Sequence, residues 1–523
     1  MINIIDIFAG PGGLSEGFSS YVNSRGKKVF NIAVSIEKEK YAFETLRLRT
    51  FLREFLGEPP QEYYKFIRGD ISASEMYSSF PKEAERASKK TWLVTLGQSG
   101  APVSDIRKRI FATIDHDDRT VLIGGPPCQA YSLVGRSRNA GNKNYDPEKD
   151  ERQRLYVEYL QFLADYRPAV FIMENVKGII SAKLKGQDIF RLILKDLQNP
   201  SNALIKEGRD SLDHTNAEYR IYSLKNGLPL KEENLRDAVI RAENYGIPQT
   251  RHRVFLLGIR SDLHVSSVPS LRQTEPVPIS EVIMDLPPIR SGLSERPDSA
   301  VAWEETLHSQ EKRHWITMPV DSLGKDDLFA HMKVYLAKIT APKIGTGREF
   351  IEATVEARYS AWWYDDKNLL GVCNHTSRNH LDADLFRYFY AACYAKLYGV
   401  SPKLKDFPKD LLPQHASVGE ALNGNGNFSD RFRVQLMNRP CKTVVSHISK
   451  DGHYYIHPDP MQCRSLTVRE AARIQTFPDN YFFCGPRTSQ YIQVGNAVPP
   501  LLARQIAEVV DNIFIQIERN SGR

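Results

Sequence analysis

Residues 121–132 read Val-Leu-Ile-Gly-Gly-Pro-Pro-Cys-Gln-Ala-Tyr-Ser. Val121 to Ile123 is an apolar run of strand length, and Gly124-Gly125-Pro126-Pro127 ends it abruptly, so Cys128 is presented at the carboxyl end of a buried strand. That edge is where open α/β sheets place their chemistry. The two prolines fix φ and withdraw two amide donors, which stiffens the backbone ahead of the thiol. Beyond it, Gly135 to Asn144 is basic and glycine-punctuated with neither helical nor strand period, a loop able to close over a phosphate backbone or simply to be solvated. A cysteine so placed is either a nucleophile or a small buried hydrophobe after a tight turn, and the dodecapeptide alone leaves both readings open.

Working outward, Ile2 to Phe8 reads as a strand, Gly10, Gly12 and Gly13 as a turn, and Leu14, Gly17 and Phe18 as the start of a helix. Such a turn lets backbone approach a ligand and leaves helix amides free to bind it. The glycine spacing departs from the Gly-x-Gly-x-x-Gly of dinucleotide sites. Glu37 ends the next apolar strand, Ile32 to Ile36, where a carboxylate can accept both ribose hydroxyls, and Asp70 is expected to follow a third strand, Phe66 to Arg68. Either acid could instead be a cap or a loop charge. The stretch from Asp70 to Val121, with an isolated apolar Trp92 to Leu96, reads as an insertion on the sheet's edge. A helix beginning near Arg152 carries Leu155, Tyr156, Tyr159, Leu160 and Leu163 on one face. Ala169 to Met173 is a buried strand ending in Glu174-Asn175, which brings a carboxyl group to the sheet edge that holds Cys128. Alternation puts Arg251 and Arg253 on one face of an extended segment, suited to an anionic substrate, ahead of a strand Val254 to Ile259.

Asp6-Ile7-Phe8-Ala9-Gly10-Pro11-Gly12-Gly13, Pro127-Cys128, Glu174-Asn175-Val176-Lys177-Gly178, Gln249-Thr250-Arg251-His252-Arg253 and Gln493-Val494-Gly495-Asn496-Ala497-Val498-Pro499 occur in that order. Together they resemble the motif set of the cytosine-5 DNA methyltransferases, over the first third, the middle and the carboxyl-terminal part of the chain. The resemblance implies an α/β fold, a Rossmann-like S-adenosylmethionine-dependent methyltransferase sheet with an inserted smaller target-recognition domain. It puts Phe8, Gly10, Gly12, Gly13, Glu37, Asp70, Ile71, Pro126, Leu155, Asn496 and Val498 at S-adenosylmethionine, the methyl donor. It makes Cys128 the nucleophile at carbon 6 of a flipped-out cytosine. Glu174 is expected to meet ring nitrogen 3 as a protonated or proton-sharing group, Arg253 the cytosine carbonyl oxygen, and Arg251 the loop or backbone, with Asn175 counted among the catalytic residues. Gln129, Ser132, Arg136 and Arg152 are implied at the DNA, the first two filling the vacated stack and touching phosphate. This chemistry needs a thiolate, because carbon 5 accepts a methyl group only after addition at carbon 6 has broken the ring's aromaticity.

A chain of 523 residues exceeds one ordinary core, and the boundaries expected are 1–285 for the first catalytic part, 286–462 for target recognition and 463–523 for the returning catalytic part. Within the middle segment the expectations are a helix Asp382 to Tyr398, a Gly-Asn run at 423–427, and a hairpin whose arms, Thr443 to Ser449 and Tyr454 to His457, carry histidines 447, 453 and 457 at hairpin or DNA-contact positions. Thr467 with Glu470 reads as the capping box of a bracing helix, and a last helix from about Leu501 should pack on the amino-terminal sheet.

Hydrophobic content of 41% and charged content of 25% are those of a soluble globular protein, and no apolar run approaches the roughly 20 residues a membrane span needs. The strand-like opening leaves no room for a leader, so the expected location is the bacterial cytoplasm, at the nucleoid through DNA. Cysteines 128, 373, 393, 441, 463 and 484 are scattered, as in a reducing compartment. Cys373-Asn374-His375 with His380 lacks four-ligand spacing and reads as a polar surface turn, so no metal is expected. A net charge of +7 permits nucleic-acid binding without requiring it. The reading is thus a monomeric DNA cytosine-5 methyltransferase of a restriction-modification system, its endonuclease encoded nearby. An enzyme using the same chemistry on RNA stands beside it, as does a catalytically silent DNA-binding relative, against which Cys128, Glu174, Arg251 and Arg253 argue.

Overall fold

A computed structural model describes residues 1–97, 103–114, 119–127, 151–184, 187–209, 216–312, 326–414, 418–419 and 429–520. Cys128, Gln129, Ser132, Arg136, the loop at 135–144 and the Gly-Asn run at 423–427 lie outside the described residues, as does the side chain of Arg152. The chain divides into two compact units. One comprises Met1–Pro60, Ser74–Glu275 and Ala497–Arg523, the other Gln61–Ala73 and Pro276–Asn496. The helices that build them include α1 (Gly13–Ser20), α2 (Lys40–Arg53), α3 (Gln61–Arg68), α4 (Glu151–Tyr166), α5 (Asp382–Tyr398), α6 (Val468–Ile474), α7 (Arg487–Asn496) and α8 (Pro500–Asn520).

The first unit is an α/β sheet of the Rossmann-like kind. Its strands are β1 (Ile2–Ile7), β2 (Phe30–Glu37), β3 (Thr91–Leu93), β4 (Thr120–Gly124), β5 (Val170–Val176), β6 (Tyr219–Tyr222), β7 (Val239–Arg241) and β8 (His252–Arg260). They lie in the order β3-β2-β1-β4-β5-β8-β6, with β7 also paired to β8. The first five run parallel, and β8 is antiparallel to its neighbours. Parallel strands are buried on both faces and so read as nearly continuous apolar runs, as Ile4, Ile5 and Ile7 in β1 and Val121 to Ile123 in β4 do. The chain moves outward from β1 to β3 and returns to β4 on the other side of β1, which makes the carboxyl ends of β1 and β4 the switch point of the sheet. The glycine turn and the Gly-Gly-Pro-Pro turn both leave from there.

Helix α8 covers α1. Its buried Leu502, Ile506, Val509, Ile513 and Ile517 recur at helical spacing, and the Tyr21 hydroxyl donates to Asp511 at 3.1 Å. The helices touch at Gly17, where a Cβ would stand 2.4 Å from that of Ala503 and 2.5 Å from the Pro500 carbonyl oxygen.

Two expectations about this part of the chain need correction. Phe66 to Arg68 is the end of helix α3, because Tyr63, Tyr64 and Ile67 bury one helical face in the second unit, with the Tyr64 hydroxyl donating to Asp366 at 2.8 Å. The third strand is Thr91–Leu93, within the stretch read as an insertion; buried Trp92 pairs with Ile36 on β2.

In the second unit, β9 (Gly347–Glu352) and β10 (Gly371–Thr376) pair antiparallel, and α5 buries Leu385, Tyr388 and Phe389 against Trp303, Leu328 and Met332. Helix α6 has its capping box: the Glu470 amide donates to Thr467 Oγ1 at 3.2 Å and the Thr467 amide to Glu470 Oε2 at 2.7 Å. Around it lie three buried arginines. Arg464 holds Glu470 through bonds of 2.7 and 2.6 Å, Arg473 holds Asp479 and Asp285, and Arg469 donates to the Cys373 and Tyr481 carbonyl oxygens. These bonds tie residues 463–496 to the second unit, so the expected boundary at 462 falls inside it.

Cys373-Asn374-His375 is buried strand and not a surface turn, since Arg469 donates to the thiol sulfur and His375 sits between Thr467 and the Pro287 carbonyl oxygen. Nor is there a hairpin at 443–457: Ser446–Ser449 and His453–Tyr455 are single 3-10 turns, and Ile456 bridges to Val434 and Ser465. Of the three histidines only His447 is exposed. His453 is hydrogen-bonded to the Tyr388 hydroxyl, and His457 lies 3.5 Å from Glu470.

Burial pushes His375 and His457 down from 6.5 to about 4, while Arg464 and these imidazoles hold Glu470 below the usual carboxylate range against its own burial. The unfolded chain therefore gains protons below pH 6.5 that the folded chain refuses until about pH 4, and stability falls across that window as pH drops. At pH 5 each imidazole should cost about 2 kcal/mol. Urea unfolding at pH 7 and pH 5 should show a loss, and His457→Asn should reduce it by about 2 kcal/mol; an unchanged pH slope in the variant would refute the assignment.

Candidate active site

The turn after β1 is backbone held in unusual conformations. Gly10 and Gly12 have φ of 57° and 99°, and Phe8, a non-glycine residue, has 56°, a strained value of the kind that gathers at ligand sites. Glu37, at the end of β2, clasps the turn. Its Oε2 accepts from the Gly10 amide at 2.7 Å, and Oε1 accepts from the Lys38 and Glu39 amides at 2.8 Å each. Burial raises the Glu37 pKa, and these amide bonds oppose the rise. Oε2 retains a lone pair for a hydroxyl group. A Cβ on Gly10 would meet nothing within 4 Å, so the turn faces open space, whereas a Cβ on Gly13 would stand 2.2 Å from the Val498 carbonyl oxygen. An open, amide-rich cradle beside a carboxylate fits a nucleoside cofactor of the S-adenosylmethionine type.

At the neighbouring strand ends, the Arg253 Nε lies 3.0 Å from Glu174 Oε1, and both side chains are largely buried. Strand β8 carries Arg253 beside Val176 of β5, so antiparallel register delivers the pair. Glu174, Arg251, Arg253, Phe255, Ala242, Val498, Pro499 and Leu502 line one crevice. The turn ahead of Cys128 is tied to the same strand. Asn175 donates to the Pro126 carbonyl oxygen at 3.3 Å and accepts from the Val176 amide at 2.8 Å. A Cβ on Gly125 would come within 3.0 Å of Glu174 Oε2, so glycine lets that carboxylate approach the Pro-Pro turn.

The structure thus brings together, in one unit, Phe8, Gly10, Gly12, Gly13 and Glu37 at the glycine turn, Pro126 with Glu174, Asn175, Arg251 and Arg253, buried Leu155 on α4, and Val498. Asp70 and Ile71 belong to the second unit; Asp70 is exposed and paired with Arg68 at 3.1 Å. Asn496 is the last residue of α7, also in that unit. Sequence reading assigned no role to Glu243, which holds His252 at 2.7 Å between the two arginines, nor to Pro499 and Leu502 in the crevice wall. Asp6 went without one too, although it stands in the first quoted motif, fully buried and bonded to Ser15. Among the described residues no helix is long and apolar enough to cross a membrane.

A parallel sheet with a glycine turn and a strand-end acid at its switch point is the architecture of nucleoside-cofactor-binding α/β enzymes. The comparisons narrow the class: the chain matches the C-5 cytosine-specific DNA methylase family over residues 78–201 and 234–512, and belongs to it. It is 32% identical to the type II methyltransferase M.Bpa9945I of Bacillus paralicheniformis, over 98% of this chain and 99% of that one. It is 25% identical to the type II methyltransferase M.DdeI of Desulfomicrobium norvegicum, over 99% of this chain and 90% of the other. A DNA (cytosine-5-)-methyltransferase of Aeropyrum pernix, M.ApeKI, is 26% identical over 78% and 85%. The protein is therefore a DNA cytosine-5 methyltransferase, of a family that takes its methyl group from S-adenosylmethionine.

Gly13→Ala should test the cradle. The added methyl group meets backbone, not a flexible side chain, so stability should fall by about 1 to 3 kcal/mol. Cofactor binding should weaken at least tenfold by fluorescence or calorimetric titration; normal stability and affinity would disprove the close packing of Gly13 on Val498.

Proposed function

We propose that the protein methylates carbon 5 of a cytosine flipped out of duplex DNA, through a covalent adduct with Cys128, and protects its host's DNA in a restriction-modification system. The observation that carries this reading is the buried Glu174–Arg253 pair, set beside a Pro-Pro turn that Asn175 ties to the same strand. The target atom is unreachable inside a duplex, which is why the base must leave the stack. In the proposed reaction the Cys128 thiolate forms a bond to carbon 6. Glu174 holds a proton or strong hydrogen bond at ring nitrogen 3, where the displaced electron pair collects. Arg253 steadies Glu174 and turns a donor to the cytosine carbonyl oxygen, while Arg251 holds the anionic backbone or loop. S-adenosylmethionine supplies an electrophilic methyl group. Loss of the carbon 5 proton then restores the double bond as the sulfur leaves.

Phe8, Gly10, Gly12, Gly13, Glu37, Asp70, Ile71, Pro126, Leu155, Asn496 and Val498 are assigned to the cofactor. Gln129, Ser132, Arg136 and Arg152 are assigned to the DNA. Residues 286–462 are assigned to sequence reading; their pattern of buried aromatics and ion pairs contains none of the reaction motifs. The enzyme is taken to act as a monomer, in the cytoplasm, alongside an endonuclease that cuts the unmodified site.

A fluorine at carbon 5 cannot leave as a proton does, so duplex DNA bearing 5-fluorocytosine should trap the adduct. With S-adenosylmethionine, wild type should give a denaturation-resistant complex mapping to Cys128, and Cys128→Ser none. Glu174→Gln should form it at least a hundredfold more slowly while still binding DNA. A complex formed with fluorinated RNA instead would point to the RNA enzyme. DNA binding with neither methylation nor adduct would point to a silent relative, and an adduct at Cys373 or Cys463 would rule out the site.

A further inference from the structure

Beneath the glycine turn lies a polar group with no part in the chemistry above. Asp6 is fully buried on β1, two residues before the strained Phe8. Its Oδ2 accepts from the Ser15 hydroxyl of α1 at 2.6 Å. Its Oδ1 has no partner among the described residues, and neither has the buried hydroxyl of Ser35, the residue in register with it on β2. On its other side β4 offers Ile123. Two charged groups act on it from adjoining elements: Arg53 of α2 attracts and Glu37 of β2 repels. Arg53 is already committed to Glu16 of α1 at 3.0 Å, and Glu16 is also held by Arg49 at 2.5 Å. A carboxylate at Asp6 is thus buried, supported by one hydroxyl and by an arginine shared with Glu16, and opposed by a second acid. The same strand places it where its charge is felt by whatever occupies the turn.

We propose that Asp6 is a positioning residue of the cofactor turn, partly protonated when the turn is free and giving up that proton to solvent when a sulfonium cofactor binds. The inference rests on the reading that this turn holds S-adenosylmethionine. A cation held at the turn joins Arg53 in favouring the ionised form, whereas the thioether product, which lacks that charge, does not. By linkage, an ionised Asp6 favours the cationic donor over the spent product by the same factor. Burial, the largest influence on the group, raises its pKa to about 7, so free protein at neutral pH holds both forms.

The test is calorimetric titration of the full chain at pH 7, in two buffers of different ionisation heat, with S-adenosylmethionine and with S-adenosylhomocysteine. Wild type should release roughly half a proton more than Asp6→Asn when S-adenosylmethionine binds, and the two proteins should match with S-adenosylhomocysteine. Ser15→Ala, which keeps the carboxyl group and removes the hydrogen bond that favours its ionised form, should move the midpoint of release to higher pH; it also covers the case in which Asp6→Asn does not fold. Equal proton counts for wild type and Asp6→Asn, the same excess with both ligands, or an unmoved midpoint in Ser15→Ala would overturn the proposal while leaving cofactor binding at the turn intact. Failure of wild type to bind either ligand would instead sink the reading of the turn, and this inference with it.

Discussion

The parallel register of β1 against β4 is the constraint on which the site depends. It sets Ile7 opposite Gly124, so that two turns leave adjacent strands at one level. The fit is close: a Cβ on Gly124 would stand 2.4 Å from the Ile7 carbonyl oxygen. The glycine turn and the turn that leads to Cys128 are thereby fixed by backbone hydrogen bonds, which side-chain motion cannot relax. β5 and β8 then extend the same edge with Glu174 and Arg253, the second arriving antiparallel so that its side chain meets the first. Near-attack placement is worth up to about 7 to 11 kcal/mol, and a sheet is the stiffest frame on which to hold it.

The second unit solves a different problem, that of holding a fold together with charges inside it. Arg464, Arg469 and Arg473 are all buried, and each is matched by carboxylates or carbonyl oxygens. Such pairs add little net stability over apolar packing, but breaking one leaves an uncompensated charge that costs about 3 to 5 kcal/mol. Some of their partners come from distant segments, Asp285 and Cys373 among them. The network thus has few wrong solutions, a useful property where irregular loops must be held in one register.

Much of this was legible in the sequence because it was local. The strand Val121 to Ile123, the glycine turn, the helix Asp382 to Tyr398 and the Thr467–Glu470 capping box each declare themselves within a few residues. Phe66 to Arg68 misled because three residues cannot separate a strand from a helix end; the deciding signal was Tyr63, Tyr64 and Ile67 on one helical face. Cys373, His453 and His457 looked like surface polar residues because their partners, such as Arg469, Tyr388 and Glu470, are remote in the chain. Asp6 was legible as a motif letter only. That it is a buried acid with an unmatched oxygen is a property of packing.

The contact between α1 and α8 has a consequence for how the molecule is made. Tyr21 and Asp511 are separated by 490 positions, so a ribosome adding about 5 to 20 residues per second finishes the second partner on the order of half a minute to two minutes after the first. Throughout that interval the nascent sheet lacks its last layer, Gly17 faces water where Ala503 should sit, and the crevice has no wall from Val498, Pro499 and Leu502. On this order of assembly, the crevice is complete only once α8 has been made and has packed on α1.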